Sequence, residues 1–229
     1  MNNELGSMVL WVITASAIGF GISAVFAGWM KLSRRRFLIP YVSIASIFIY
    51  GFIVINEIDL VATFTENWIW GILAGGLLSL YLVKTVRAQP ATRQSEGPGF
   101  LFDLGWAGFV YGMVDALFLN ILPVLAIWLG TSQFAWAATL PGKIAVGFIA
   151  LLASLLVTLT YHLGYPEFRN RRVVMVLLGN SLITLAMLLS GNPFGSLISH
   201  TAMHLAAVVQ GPETTIQLPP HYQAGYKPG

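Results

Sequence analysis

The sequence predicts an all-α protein: a polytopic bundle of about seven transmembrane helices, with its N-terminus outside and its C-terminus in the cytoplasm. Three observations lead there. Of 229 residues, 56% are hydrophobic and only 9% charged, at a mean hydropathy of +0.75, whereas a soluble domain carries about 25% charged residues. Apolar runs recur along the whole chain, each near the ~20 residues that a spanning helix needs. Basic residues fall in alternate loops, as the positive-inside rule requires. The formal charge of +3 is too small to point to a nucleic-acid partner, and the absence of cysteine excludes disulfide scaffolds and thiolate metal sites. The partner this composition implies is the lipid bilayer, in a multi-pass cell-membrane protein.

The apolar stretches run roughly over 8–30, 37–56, 68–86, 104–129, 143–164, 172–190 and 195–211. The first follows Met-Asn-Asn-Glu-Leu-Gly-Ser, which lacks the positive n-region of a secretory signal, and it is too long for an h-region. It reads as a retained helix. Lys31, Arg34, Arg35 and Arg36 follow it. The second stretch leads to an acidic loop with Glu57, Asp59 and Glu66. The third carries Gly71 and Gly75 in GxxxG spacing, which suits close helix packing, and is followed by Lys84, Arg87 and Arg93. Trp68, Trp70, Trp128 and Trp136 fall where interfacial anchors belong. Only Lys143 is basic in the loop after the fourth stretch, while Arg169, Arg171 and Arg172 follow the fifth. The sixth and seventh are short and joined by Gly191-Asn-Pro-Phe-Gly195, a turn signal; a re-entrant pair is the alternative to two spans.

These segments group into a three-helix unit over 1–87, a polar Pro/Gly linker over 88–99 and a four-helix unit over 100–211. A Pro/Gly-rich cytoplasmic tail follows over 212–229. The tail cannot continue a helix; it reads as a disordered extension, or as a lid under the bundle.

The last four stretches carry polar residues at four-residue steps, which share one helix face. They are Tyr111 and Asp115 followed by Asn120, then Ser154, Thr158 and Tyr161 or His162, then Asn180 and Thr184, then Ser196, His200 and His204. Ser, Thr and Asn need no function there, because they commonly stitch membrane helices together at about 0.6 kcal/mol per hydrogen bond. Asp115 asks for more: a carboxylate near the bilayer centre costs several kcal/mol unless paired, neutralised or wetted.

Two histidines at i and i+4 can share a zinc ion, and a third ligand must then come from another helix at the same depth. At ~1.5 Å rise per residue, His204 lies ~14 Å below the outer end of its helix, and Asp115 ~16 Å above the inner end of its own. Both fall near the middle of a ~30 Å hydrocarbon core. His162 closes its helix at the cytoplasmic boundary and joins the set only as an optional metal ligand. Such a cluster suits a metal-dependent membrane-embedded hydrolase, with His200, His204 and His162 as metal ligands and Asp115 as the catalytic carboxylate. The ion would acidify a bound water and the carboxylate would take its proton. The substrate would be a lipid or small molecule with an amide, ester or peptide bond. Two other readings stand beside it: a proton- or ion-coupled small-solute transporter that uses the same titratable groups, and a non-catalytic assembly or scaffold protein. Histidines four apart on one helix cannot supply both axial positions of one haem, and the seventh stretch has no lysine for a retinal Schiff base.

Seven helices, an outside N-terminus and His200-x-x-x-His204 on the last helix resemble the alkaline ceramidase and progestin/adipoQ receptor superfamily. That resemblance implies zinc-dependent amidase chemistry on His200, His204 and Asp115. The chain departs from that pattern in lacking an early Ser-x-x-x-His; Thr158-Leu-Thr-Tyr-His162 comes much later in the chain. Glu167-Phe-Arg169 followed by the histidine pair is similar to the CAAX-protease and bacteriocin-processing family, whose paired glutamates are missing because Pro166 precedes Glu167. Each likeness covers a few positions and assigns no family.

Overall fold

The computed structural model describes residues 4–92, 96–211 and 218, and among them it is helical throughout with no strand. Arg93 and the tail lie outside the described residues, apart from Leu218. Seven longer helices and one short one follow each other: α1 Glu4–Trp29, α2 Arg34–Ile55, α3 Leu60–Thr65, α4 Trp68–Arg87, α5 Pro98–Ser132, α6 Leu140–Leu163, α7 Arg172–Ser190 and α8 Phe194–Gln210. Among the described residues, six helices are long and apolar enough to cross a membrane: all except α3, which has 6 residues, and α8, which has 17.

Local chemistry sets the boundaries. Asp59 caps α3 by accepting from the Ala62 N–H at 2.9 Å, and Thr139 caps α6 by accepting from Gly142. Gly191 ends α7 in the left-handed conformation, with φ +65°. Asn192 then ties the turn to the far loop, donating to the Phe64 and Glu66 carbonyls at 3.1 and 2.6 Å.

Around the outside, Leu10, Ile47, Leu77, Leu80, Ile144, Phe148 and Leu189 are all more than half exposed. A water-facing surface does not carry an apolar belt of that extent, whereas lipid tails accept it. α5 is the central helix: 78% of its apolar window is buried, against 22–39% for the other five.

The basic loops meet at one end. Arg35 forms a bidentate pair with Asp103, at 2.7 and 2.8 Å, joining the starts of α2 and α5. Ser23 donates to the Tyr161 carbonyl, joining the ends of α1 and α6. Gln210 donates to the Gln89 carbonyl, joining the ends of α8 and α4. Glu57, Asp59 and Glu66 lie at the opposite end, beside the α7–α8 turn.

Glycines set the spacing around α8. A Cβ on Gly75 would lie 2.7 Å from the Phe194 carbonyl oxygen, so the GxxxG of α4 packs directly on the start of α8. On α5, a Cβ on Gly112 would lie 2.9 Å from Thr201 Cα and 3.2 Å from His204 Cβ. α8 is therefore held closely between α4 and α5, which delivers its histidines to the interior.

Candidate metal centre

Asp115, His200 and His204 meet in the bundle interior, 2%, 4% and 2% exposed. One ligand atom from each lies within 4.8 Å of the others, a group that can hold a metal ion. The Asp115 Oδ2 atom stands 3.6 Å from His200 Nε2 and 3.5 Å from His204 Nε2. Hydrogen bonds between such atoms run about 2.7–2.9 Å. A tetrahedron with ~2.0–2.1 Å ligand bonds has edges of about 3.3–3.4 Å, so the spacing suits donors around an ion.

Hydrogen-bond direction fixes which atom of His200 faces Asp115. The Leu119 carbonyl can only accept, and it takes the Ser154 hydroxyl proton at 2.7 Å. Ser154 Oγ is then an acceptor for the Thr184 hydroxyl at 2.8 Å and for Asn180 Nδ2 at 3.1 Å. Thr184 Oγ1 in turn accepts from Asn120 Nδ2 at 2.8 Å, and the same nitrogen donates to Asn180 Oδ1 at 2.8 Å. With its nitrogen so placed, Asn120 turns Oδ1 to His200, whose Nδ1–H donates to it at 2.8 Å. A neutral ring with its proton on Nδ1 aims the Nε2 lone pair at a carboxylate oxygen. Two acceptors face to face repel each other; a cation between them makes the arrangement favourable, and a hydrogen-bonded second nitrogen is the usual support of a ligating histidine.

His204 points the same way. Both of its ring nitrogens are buried without a hydrogen-bond partner among the described residues, and each such orphan costs about 1–3 kcal/mol. Its ring stacks on His200 with centroids 5.0 Å apart and meets Tyr111 edge-on at 4.6 Å. The other Asp115 oxygen, Oδ1, accepts from the Tyr41 hydroxyl of α2.

The backbone of α5 lets one helix grip both sides of the His200 ring. Residues five apart on an α-helix lie about 140° apart around the axis, so Asp115 and Asn120 should not share a face. Residues Ala116–Ile121 form a π turn, whose i→i+5 bonding brings such residues together. Pro123, lacking an N–H, sits just beyond it at the start of the next α segment. Leu104–Val110 forms a second π turn, so Tyr111–Asp115 is an α segment between two π turns.

Beside the three donors opens a cavity of about 300 Å³, also lined by Tyr111, Thr158, Tyr161, His162 and Tyr165. Thr158 Oγ1 is buried there without a partner among the described residues. His162 lines this cavity but does not join the donor group: its Nδ1–H is spent on the Thr158 carbonyl at 2.8 Å, and its ring packs edge-on against Phe168 at 5.0 Å. Tyr165 donates to the Tyr161 hydroxyl at 2.7 Å, which lies 3.2 Å from that of Tyr111.

Two expectations change. The polar interior is not confined to the last four helices, since α2 supplies Tyr41 and α4 supplies Tyr81, Leu82 and Thr85 to the cavity wall. Ser196 belongs to the stripe on α8 but spends its hydroxyl on the Ile183 carbonyl at 2.8 Å, as a stitch between α7 and α8. Tyr41 carries no local signal of its role: Tyr50, on the same helix, is 68% exposed.

Fold and site together define a class: a bundle of membrane-compatible helices with a buried Asp–His–His group at its centre. Comparison with known families, with characterised proteins and with solved structures finds no match.

Proposed function

We propose that the chain is a seven-span membrane protein that binds zinc through Asp115, His200 and His204 and acts as a hydrolase inside the bilayer. The observation that carries this is the pair of histidine Nε2 atoms at 3.5 and 3.6 Å from one carboxylate oxygen, with the His200 lone pair turned toward it by Asn120. Nitrogen and oxygen donors in a tetrahedral set suit zinc, and three protein ligands leave a fourth position open, as in catalytic sites.

The ion supplies Lewis acidity and an acidified water. The chain's own residues do the rest. Asp115 holds its position through Tyr41 and presents Oδ2 to the site. His162, with Nδ1–H held by Thr158, keeps Nε2 free as a proton acceptor at the cavity wall. Tyr111 and Tyr161 offer hydroxyls to the same space, where they can donate to a developing oxyanion. The 17 residues of α8 are at the short end of a span, and tight packing against α4 and α5 supports that length.

The test is metal analysis of detergent-purified protein. Wild type is expected to carry about one equivalent of zinc per chain, as a site with this donor set does. His204→Ala is expected to lose it while keeping its helical circular dichroism. Absence of metal from both proteins refutes the assignment.

A further inference from the structure

We propose that the substrate is an anionic phospholipid, which reaches the centre sideways, between α4 and α7, from the leaflet that borders the basic loops. This inference rests on the reading of Asp115, His200 and His204 as the reacting centre.

The cavity does not end at buried residues. Its outer wall includes Tyr81 of α4 and Met175, Leu178 and Leu182 of α7, which are 57%, 63%, 57% and 40% exposed. These are lipid-facing positions, so the cavity opens onto the apolar belt, and Thr85 and Gln89 carry its wall on toward the basic end of α4. Counting ~1.5 Å per residue from Arg172, Met175 to Leu182 span about 5–15 Å of depth. A lipid already resides in that layer, with its acyl chains beside Tyr81 and Leu178 and its headgroup at the level of the basic end of α4.

Charge at the rim selects among lipids. Lys84 and Arg87 close α4, Arg171 and Arg172 open α7, and all four are exposed. They flank the opening on both of the helices that form it. No carboxylate among the described residues forms a salt bridge with any of them. Basic residues at a membrane surface attract anionic headgroups. His204 lies six residues from the end of α8, about 9 Å along the axis. A phosphate at the rim therefore directs the acyl linkages of the same lipid inward, toward Asp115 and the histidines.

The chain has no cysteine, so one can be introduced at the partly buried cavity residue Met203 and another at Ile47, exposed on a different flank. Each variant is reconstituted in phosphatidylcholine vesicles containing a trace of phospholipid with a maleimide at its acyl terminus. That lipid is supplied with either a phosphatidylglycerol or a phosphatidylcholine headgroup. The proposal expects Met203→Cys to react with the lipid-borne maleimide and not with a charged, water-soluble one. Adding Leu178→Trp should slow the reaction at position 203 and leave position 47 unaffected. The phosphatidylglycerol probe should react faster at 203 only, and lose about fivefold per rim cation neutralised in Lys84→Gln, Arg87→Gln, Arg171→Gln and Arg172→Gln. Labelling from water alone, no labelling, indifference to Leu178→Trp or equal rates for the two headgroups overturns it. Metal content is scored on the same preparations. Lateral labelling without zinc refutes the metal assignment alone, and zinc with labelling only from water refutes the lateral route alone.

Discussion

At the scale of single residues, the centre is governed by Asn120 as much as by the ligands it supports. Asn120 fixes the tautomer of His200 through a chain of donors and acceptors that starts at one backbone carbonyl. Replacing it with alanine removes that orientation without touching a ligand. Asn120→Ala is expected to weaken zinc affinity by about 10–100-fold, the usual effect of losing such support; competition with a chelator measures it. An affinity equal to wild type would mean that the ring is held by packing alone. The ligand types were legible in the sequence, because histidines four apart share a helix face wherever the helix lies. The role of Asn120 was not, since it stands five residues from Asp115 and a straight α-helix separates the two.

At the scale of elements, two features bring α5 and α8 together: the π turn over Ala116–Ile121 and the absence of a side chain at Gly112. A Cβ at Gly112 already crowds Thr201 Cα at 2.9 Å, and a larger side chain must push α8 outward. Gly112→Leu is expected to destabilise the bundle by about 1–3 kcal/mol, as overpacking does, and to abolish zinc binding, because Asp115 is carried away from both histidines. Gly76→Leu is the control, because nothing among the described residues lies within 4 Å of a Cβ at Gly76. Thermal unfolding in detergent, followed with metal content, separates the two variants. If Gly112→Leu bound zinc like wild type, close approach would not be what forms the site. The GxxxG on α4 could be read as packing from its spacing, but which helix it met could not; the structure puts the start of α8 there.

At the scale of the whole molecule, the basic and acidic loops stand at opposite ends of one bundle, and membrane insertion sorts such a chain by charge. The expected topology places the α2–α4 loop outside the cell and the end of α8 in the cytoplasm. In intact cells, a membrane-impermeant maleimide should label the exposed Glu57→Cys, and should leave Thr92→Cys unlabelled until the membrane is opened. Labelling of Thr92→Cys in intact cells would reverse the orientation. By residue count along their helices Asp115 and His204 fall at one depth, and in the fold they stand 3.5 Å apart. By the same count His162 falls at the cytoplasmic boundary. In the structure it lines the cavity yet remains outside the donor group, since its Nδ1–H bonds within its own helix.

The sequence by itself determined the helical class, the apolar exterior, the charge asymmetry of the loops and the residue types available to a site. Those are properties of composition and of position along a single helix, and they survive whatever the helices do next. Only the tertiary structure decided which helix faced which. It brought Tyr41 of α2 onto Asp115, aimed His200 through Asn120 and opened the cavity between α4 and α7. The reason is physical. In a bilayer every helix satisfies its own backbone, so helix choice and orientation rest on side-chain fit and glycine contacts between segments far apart in the chain, where no local pattern records them.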